Sequence, residues 1–237
     1  MTGFGVAEAA DAAATESGWQ LAGSRVAIQG FGAVGEAAAR RFVELGTTVV
    51  AVSTAAGAVH DPDGLEVARL CRLRVDVGDD CVRDYGGVQP TDIALTAPTD
   101  VLVPAAREDV IDDGIALATT ARLVVEGANL PTTSRAREIL AERGIPVVPD
   151  FIANAGGIVA AAHSMDMRYS PFPVDPDDVF AMISAKLRAN ASAVLAEAER
   201  TGDTPHAAAH RLAQHRVLGA MRLRRQLPID TTLEPLP

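Results

Sequence analysis

Apolar positions along the chain change their period several times. "RVAIQ" (25–29) and "TTVVAVS" (47–53) are compact, mostly apolar runs, whereas between them Val34, Ala38, Phe42 and Leu45 recur every three or four residues. The first pattern predicts strands covered on both faces, and the second predicts one buried face of a helix, closed by Gly46. Two such strands joined by so short a helix form a right-handed parallel crossover. "DVLVPAA" (100–106), "RLVVEGAN" (122–129) and "IPVVPD" (145–150) are further short β-branched runs without the alternation of a half-exposed strand. "TTSRAREILAERG" (132–144), with Ala136, Ile139 and Leu140 in phase, is a crossover helix between the last two. Residues 5–16 predict a leading helix. After Pro173 the period lengthens into helices, one striped by Val179, Ile183, Leu187, Val194 and Leu195, another by Leu212, Leu218 and Met221.

The expected fold is therefore α/β: a doubly wound, mostly parallel sheet at about residues 20–165, followed by a helical segment at about 172–225. Between Asp61 and Val88 only "HDPDG" is placed, as a turn. "PFPVDPDD" at Pro171 marks a boundary or hinge. A chain of 237 residues suits one main domain.

Composition narrows the ligand. With 48% hydrophobic but only 4% aromatic residues, alanine-rich helices packed on a sheet are favoured over a β-sandwich. A net charge of −10 excludes a phosphate-backbone partner, so no nucleic acid is expected. Cys71 and Cys81 match neither a metal knuckle nor a redox pair, and no apolar run suggests a signal peptide or a membrane span. These features lead us to expect a cytoplasmic protein with no membrane partner.

The chemistry lies in Gly30-x-Gly32-x-x-Gly35, set between the first strand and its helix. The first glycine makes the tight turn, the second admits a pyrophosphate against bare backbone, and the third packs helix on strand. Such a triplet alone is also an ordinary loop, but the order strand, triplet, helix, strand favours dinucleotide binding. Phe31, Ala33 and Val34 complete the loop. Where many such sites keep a carboxylate for the adenosine ribose, this chain has Ser53-Thr54. That ending permits NADP, yet no arginine or lysine lies between Phe42 and Ala68, so the expectation is dual NAD(P) use or a modest NADP preference.

"TGFGV" at Thr2, "VAIQGFGAVG", "DPDGLEV", "DVLVPAA", "VVEGANLPTT" and "ILAERGIPVVPDFIANAGGIV" stand in the order seen in the glutamate/leucine/phenylalanine/valine dehydrogenase family. The resemblance is dense from residue 2 to about 160. It implies the cofactor domain of an enzyme that reversibly deaminates an L-amino acid, with hydride passing to NAD(P). In that family the amino-acid-binding domain comes first and carries a catalytic lysine and aspartate, so the implied partner is that domain, fused or in trans, within a homo-oligomer. A cut piece, half of a split enzyme and a stand-alone dinucleotide sensor all remain open. No catalytic residue is assigned to this chain.

By the same resemblance Thr2 lies near the nicotinamide amide, Ala105 and Ala106 border the adenosine and ribose, and Asn129 and Asn154 lie near the nicotinamide and its ribose. Ala33 stands where the family often has a polar residue, and Ala161 lies near the position facing the substrate side chain, which tilts the substrate weakly away from glutamate. His206, His210 and His215 are read as a solvated helix face rather than a metal site, and Lys186, the only lysine, as a surface residue.

Overall fold

The computed structural model describes residues 1–169 and 175–224. In chain order these form α1 (Thr2–Glu16), β1 (Arg25–Gln29), α2 (Ala33–Glu44), β2 (Thr48–Thr54), β3 (Gly57–His60), α3 (Val67–Val77), α4 (Cys81–Tyr85), α5 (Ile93–Thr96), β4 (Val101–Pro104), α6 (Asp113–Ala118), β5 (Leu123–Val125), α7 (Ser134–Glu142), β6 (Val147–Val148), α8 (Asp150–Ala153), α9 (Gly156–Asp166), α10 (Pro176–Thr201) and α11 (Pro205–Leu223). Single 3₁₀ turns cover Gly78–Asp80 and Met167–Tyr169.

The strands form one sheet in the order β3-β2-β1-β4-β5-β6, parallel throughout except for β3. The chain adds strands outward first on one side of β1 and then on the other, and this switch leaves a crevice at the carboxyl ends of the central strands. Side chains alternate between two buried faces. Val26, Ile28, Val101, Val103, Leu123 and Val125 meet α1, α2 and α3, while Ala27, Ala51, Leu102, Val124 and Val147 meet α5, α6 and α7. This double burial is why the strands read as continuous apolar runs.

Alanine on α1 allows a further layer. Gly5 approaches Leu187 of α10 so closely that an added Cβ would lie 2.3 Å from its Cδ2, and Gly3 packs just as tightly on the backbone of α2. Between these helices lies buried Glu8, bonded by Arg41 of α2 and by Ser184 and Arg188 of α10. The expected stripe Val179, Ile183, Leu187, Val194 and Leu195 is buried, so α10 covers α1, and α11 packs on α10, instead of trailing from the sheet. Contrary to the sequence expectation, α10 is long and apolar enough to cross a membrane by length and composition. Here its stripe is packed into protein, and its Arg188 is engaged with Glu8 and Asp11.

Strand β3 and helices α3 and α4 were not expected. A two-residue turn, Ala55-Ala56, joins β2 to β3, with Thr54 opposite Gly57, and it carries none of the usual Asn-Gly or Asp-Gly chemistry. Thr54 Oγ1 closes the turn by accepting from Ala56 N at 3.1 Å. The boundary expected at Pro171 falls outside the described residues, although Asp175 caps α10 through Asp177 N.

Candidate functional site

The glycine loop is fixed by close approach on three sides. Gly30 has φ +98°, and a Cβ there would lie 2.6 Å from Ala106 Cβ, so the turns after β1 and β4 touch at a position only glycine fits. A Cβ at Gly35 would lie 1.8 Å from Gly30 O, which leaves no room between helix and strand. Gly32 differs, because a Cβ there would meet nothing within 4 Å. It N-caps α2, whose first backbone N–H groups have no intrahelical partner and favour an anion. Phe31 is 1% exposed, so its ring belongs to the core and only its backbone faces the loop.

Beside this loop opens a cleft of about 630 Å³, bordered by Gly30–Gly32, Ser53–Ala55 and Ala105–Arg107. Gly30 N donates to Ser53 Oγ at 3.2 Å, tying the loop to the end of β2. Thr54 is placed at the cleft, but its hydroxyl is engaged, donating to Asp79 O at 2.7 Å. Of the two hydroxyls at the end of β2, Ser53 retains its proton to donate, while Thr54 serves the hairpin and the turn at Asp79. The expected lack of a nearby cation is also corrected. Arg74, in the last turn of α3, lines the cleft and is paired with Asp79. Its helix lies in the stretch whose period was too weak to place.

A second group of residues meets at the ends of β5 and β6. Asn154 Nδ2 donates to Asn129 Oδ1 at 2.9 Å. The first turn of α1 rests on the first turn of α9, where a Cβ at Gly156 would lie 2.6 Å from Met1 O and one at Gly157 would lie 3.1 Å from Thr2 Oγ1. Thr2 thus approaches the Asn154-Gly157 turn from the far end of the chain. Ala33 and Ala161 are exposed, and Val34 is half-buried.

Beneath the two asparagines lies a feature that sequence reading missed. Glu126 is completely buried, and its Oε2 accepts from Asp150 N at 2.9 Å. Asp150, also buried, accepts from Leu130 N at 2.8 Å and from Phe151 N at 2.7 Å. Burial raises the Glu126 carboxyl from the usual 4.5 to about 7, and the neighbouring Asp150 adds to this. Thr132, the Asp150 amide and Arg137 oppose it.

His206 departs from the expected solvated face. It stacks with His210 at 5.0 Å and edge-on with Phe151 at 5.4 Å, and burial lowers its pKa. Among the described residues no cluster could hold a metal ion, and Lys186 is exposed on α10. A larger groove, about 1120 Å³, lies at the amino ends of the strands around Trp19, Arg122 and Ile145 and includes none of the expected site residues.

A model of the Glutamate/Leucine/Phenylalanine/Valine dehydrogenase family matches residues 1–225. The chain belongs to this family. The match runs well past residue 160, where the motifs were expected to fade, because the C-terminal helices are part of the same domain architecture. The chain is 35% identical over 228 residues to a glutamate dehydrogenase of Aeropyrum pernix, which covers 94% of this chain and 54% of that protein. Halobacterium salinarum supplies an NADP-specific glutamate dehydrogenase, 37% identical over 84% of this chain and 48% of its own length, and an NAD-specific one, 45% identical over 57% and 31%. The fold superposes on a hetero-hexameric glutamate dehydrogenase from Thermus thermophilus with a TM-score of 0.82 and 31% identity, covering 99% of this chain and 54% of that one. The chain spans about half the length of these relatives.

Proposed function

We propose that this chain is the cofactor-binding half of an NAD(P)-dependent L-amino-acid dehydrogenase, acting with an amino-acid-binding domain in the same polypeptide or in trans. The observation that carries the reading is the cleft beside Gly32: bare backbone, free amides at the start of α2, and open space where a pyrophosphate would lie. A dinucleotide bound there supplies the hydride carrier. Thr2, Asn129 and Asn154 would orient the nicotinamide end through amide and hydroxyl groups that donate and accept together.

The adenosine end supports dual use with a modest NADP preference. No carboxylate ends β2, and Arg74 lines the cleft, where it would offer a guanidinium to a 2′-phosphate, while the adjacent Asp79 would accept from a 2′-hydroxyl. The substrate class is an L-amino acid. The relatives' names favour glutamate, whereas the small, exposed Ala161 leaves a side-chain carboxylate without a partner at that position. The reading carries with it a cytoplasmic location and assembly as a homo-oligomer.

Lys186 is the chain's only lysine and sits away from the cleft, so the purified chain should not reduce either cofactor with any amino acid. Adding the amino-acid-binding domain of a relative, fused or in trans, should give amino-acid-dependent reduction. Binding without turnover in every such pairing would favour the stand-alone sensor instead, and turnover by the chain alone would overturn the division of labour.

A further inference from the structure

The ends of β5 and β6 present the two asparagines, and nothing on the surface explains what holds them. Asn129 is followed by Leu130 at φ +47°, a left-handed conformation that a branched residue adopts only when held there. Two bonds hold it: Asp150 Oδ2 accepts Leu130 N at 2.8 Å, and Leu130 O accepts from Asp109 N at 3.0 Å. Asp150 in turn begins α8, the single turn that leads to Asn154, and its own amide is bound by Glu126. One chain of contacts, Glu126 to Asp150 to Leu130, therefore braces both asparagine-bearing loops.

We propose that Glu126 is a positioning residue for the nicotinamide end of the cofactor, setting the Asn129–Asn154 pair through Asp150. The inference rests on the cofactor reading above. Glu126 touches no ligand; it acts by fixing the turn at Asp150. Its Oε1 has no hydrogen-bond partner, and neither does the hydroxyl of buried Thr132, which lies close enough to favour the charged carboxylate without making a well-formed bond. When protonated, the carboxyl O–H can donate a hydrogen bond to Thr132 Oγ1, and the charge-assisted bond from Asp150 N becomes an ordinary one.

The groups facing this carboxyl are few. Asp150 of α8 is a like charge, and half-buried Arg137 of α7 is the one cation, itself donating to Thr132 O at 2.9 Å and to Ser134 Oγ. Two carboxylates against one guanidinium leave a buried negative charge uncompensated, which disfavours full ionisation. His206 of α11 faces Asp150 and Arg137, and burial holds it neutral to below its usual range. Ionisation of Glu126 near pH 7 then tightens the brace, and protonation loosens it.

The test is titration of the full chain with NADPH and with 2′-phospho-ADP-ribose, which lacks only the nicotinamide, from pH 6 to 8.5. In the wild type, NADPH affinity should fall several-fold as pH drops through about 7, while that of the fragment stays within twofold. Glu126→Gln, which keeps the shape and an acceptor for Asp150 N, should bind NADPH with a flat profile at the wild-type low-pH value. Glu126→Ala, if folded by circular dichroism, should lose about tenfold for NADPH alone, the size expected for one charge-assisted bond. A pH slope that survives in Glu126→Gln, or equal losses for both ligands, would overturn the proposal. A wild type that binds neither ligand would overturn the cofactor reading itself.

Discussion

Burying Glu126 should make the stability of the fold depend on pH in a direction opposite to that of an ordinary salt-bridged carboxylate. The folded protein holds this proton to about pH 7, the unfolded chain only to about 4.5. Below 4.5 the carboxyl is protonated in both states and its contribution is fully present. As the pH rises through 7 the folded state must ionise a group without water around it, and that contribution is lost. Over the interval from 4.5 to about 7, at about 1.4 kcal/mol for each pH unit, the loss is about 3 kcal/mol. Glu126→Gln removes the titration but keeps the volume. Urea denaturation of both proteins at intervals from pH 4.5 to 8.5 should show the variant's advantage growing by about 3 kcal/mol, most of it between pH 5 and 7.5. A difference independent of pH would mean that Glu126 is solvated, and the brace argued from it would fall.

Other consequences are sharper in structure than in chemistry. Gly35→Ala places a Cβ 1.8 Å from Gly30 O, backbone that has no room to yield, and should destabilise the fold by on the order of 3 kcal/mol in thermal or urea unfolding; a variant within about 0.5 kcal/mol of wild type would show that the loop relaxes freely. Glu8→Ala removes the buried carboxylate shared by Arg41 and Arg188, which keep Glu44 and Asp11 as partners, and should cost about 2 kcal/mol, discounted because both guanidinium groups keep some contact with water; salt-insensitive, unchanged stability would count against the clamp. Arg74→Ala should weaken NADP binding roughly ten- to hundredfold and NAD binding little, with Thr54→Asp acting in the same direction by placing a carboxylate near the 2′-phosphate. Equal losses for both cofactors in calorimetry would remove Arg74 from the ribose end.

The unit from β1 to β2 was legible because every level agreed: apolar runs, helical period, three glycines and Gly46 at φ +80°. Strand β3 was not, since its turn relies on Thr54 and on Gly57 at φ +144° instead of a recognisable turn sequence. Helix α3 buries Val67, Leu70 and Cys71, too short a stripe to stand out, and with it Arg74 went unseen. Asn129 and Asn154 followed from the family's motifs, but their brace did not. Glu126 and Asp150 lie 24 residues apart and acquire meaning only when β5 and β6 are adjacent. The same holds for His206, whose ring meets Phe151 on another element.

The central claim concerns the space beside Gly32. Its φ of −87° and ψ of −162° suit any residue, and a Cβ there meets no protein atom within 4 Å, so Gly32→Val should fold as the wild type does. Calorimetric titration of NADP and NAD into both proteins at pH 7.5 is then the most direct test. The expected result is saturable binding of one dinucleotide per chain in the wild type and its loss in a folded Gly32→Val. Undiminished affinity in the variant, or no binding by the wild type, would contradict the assignment of this cleft.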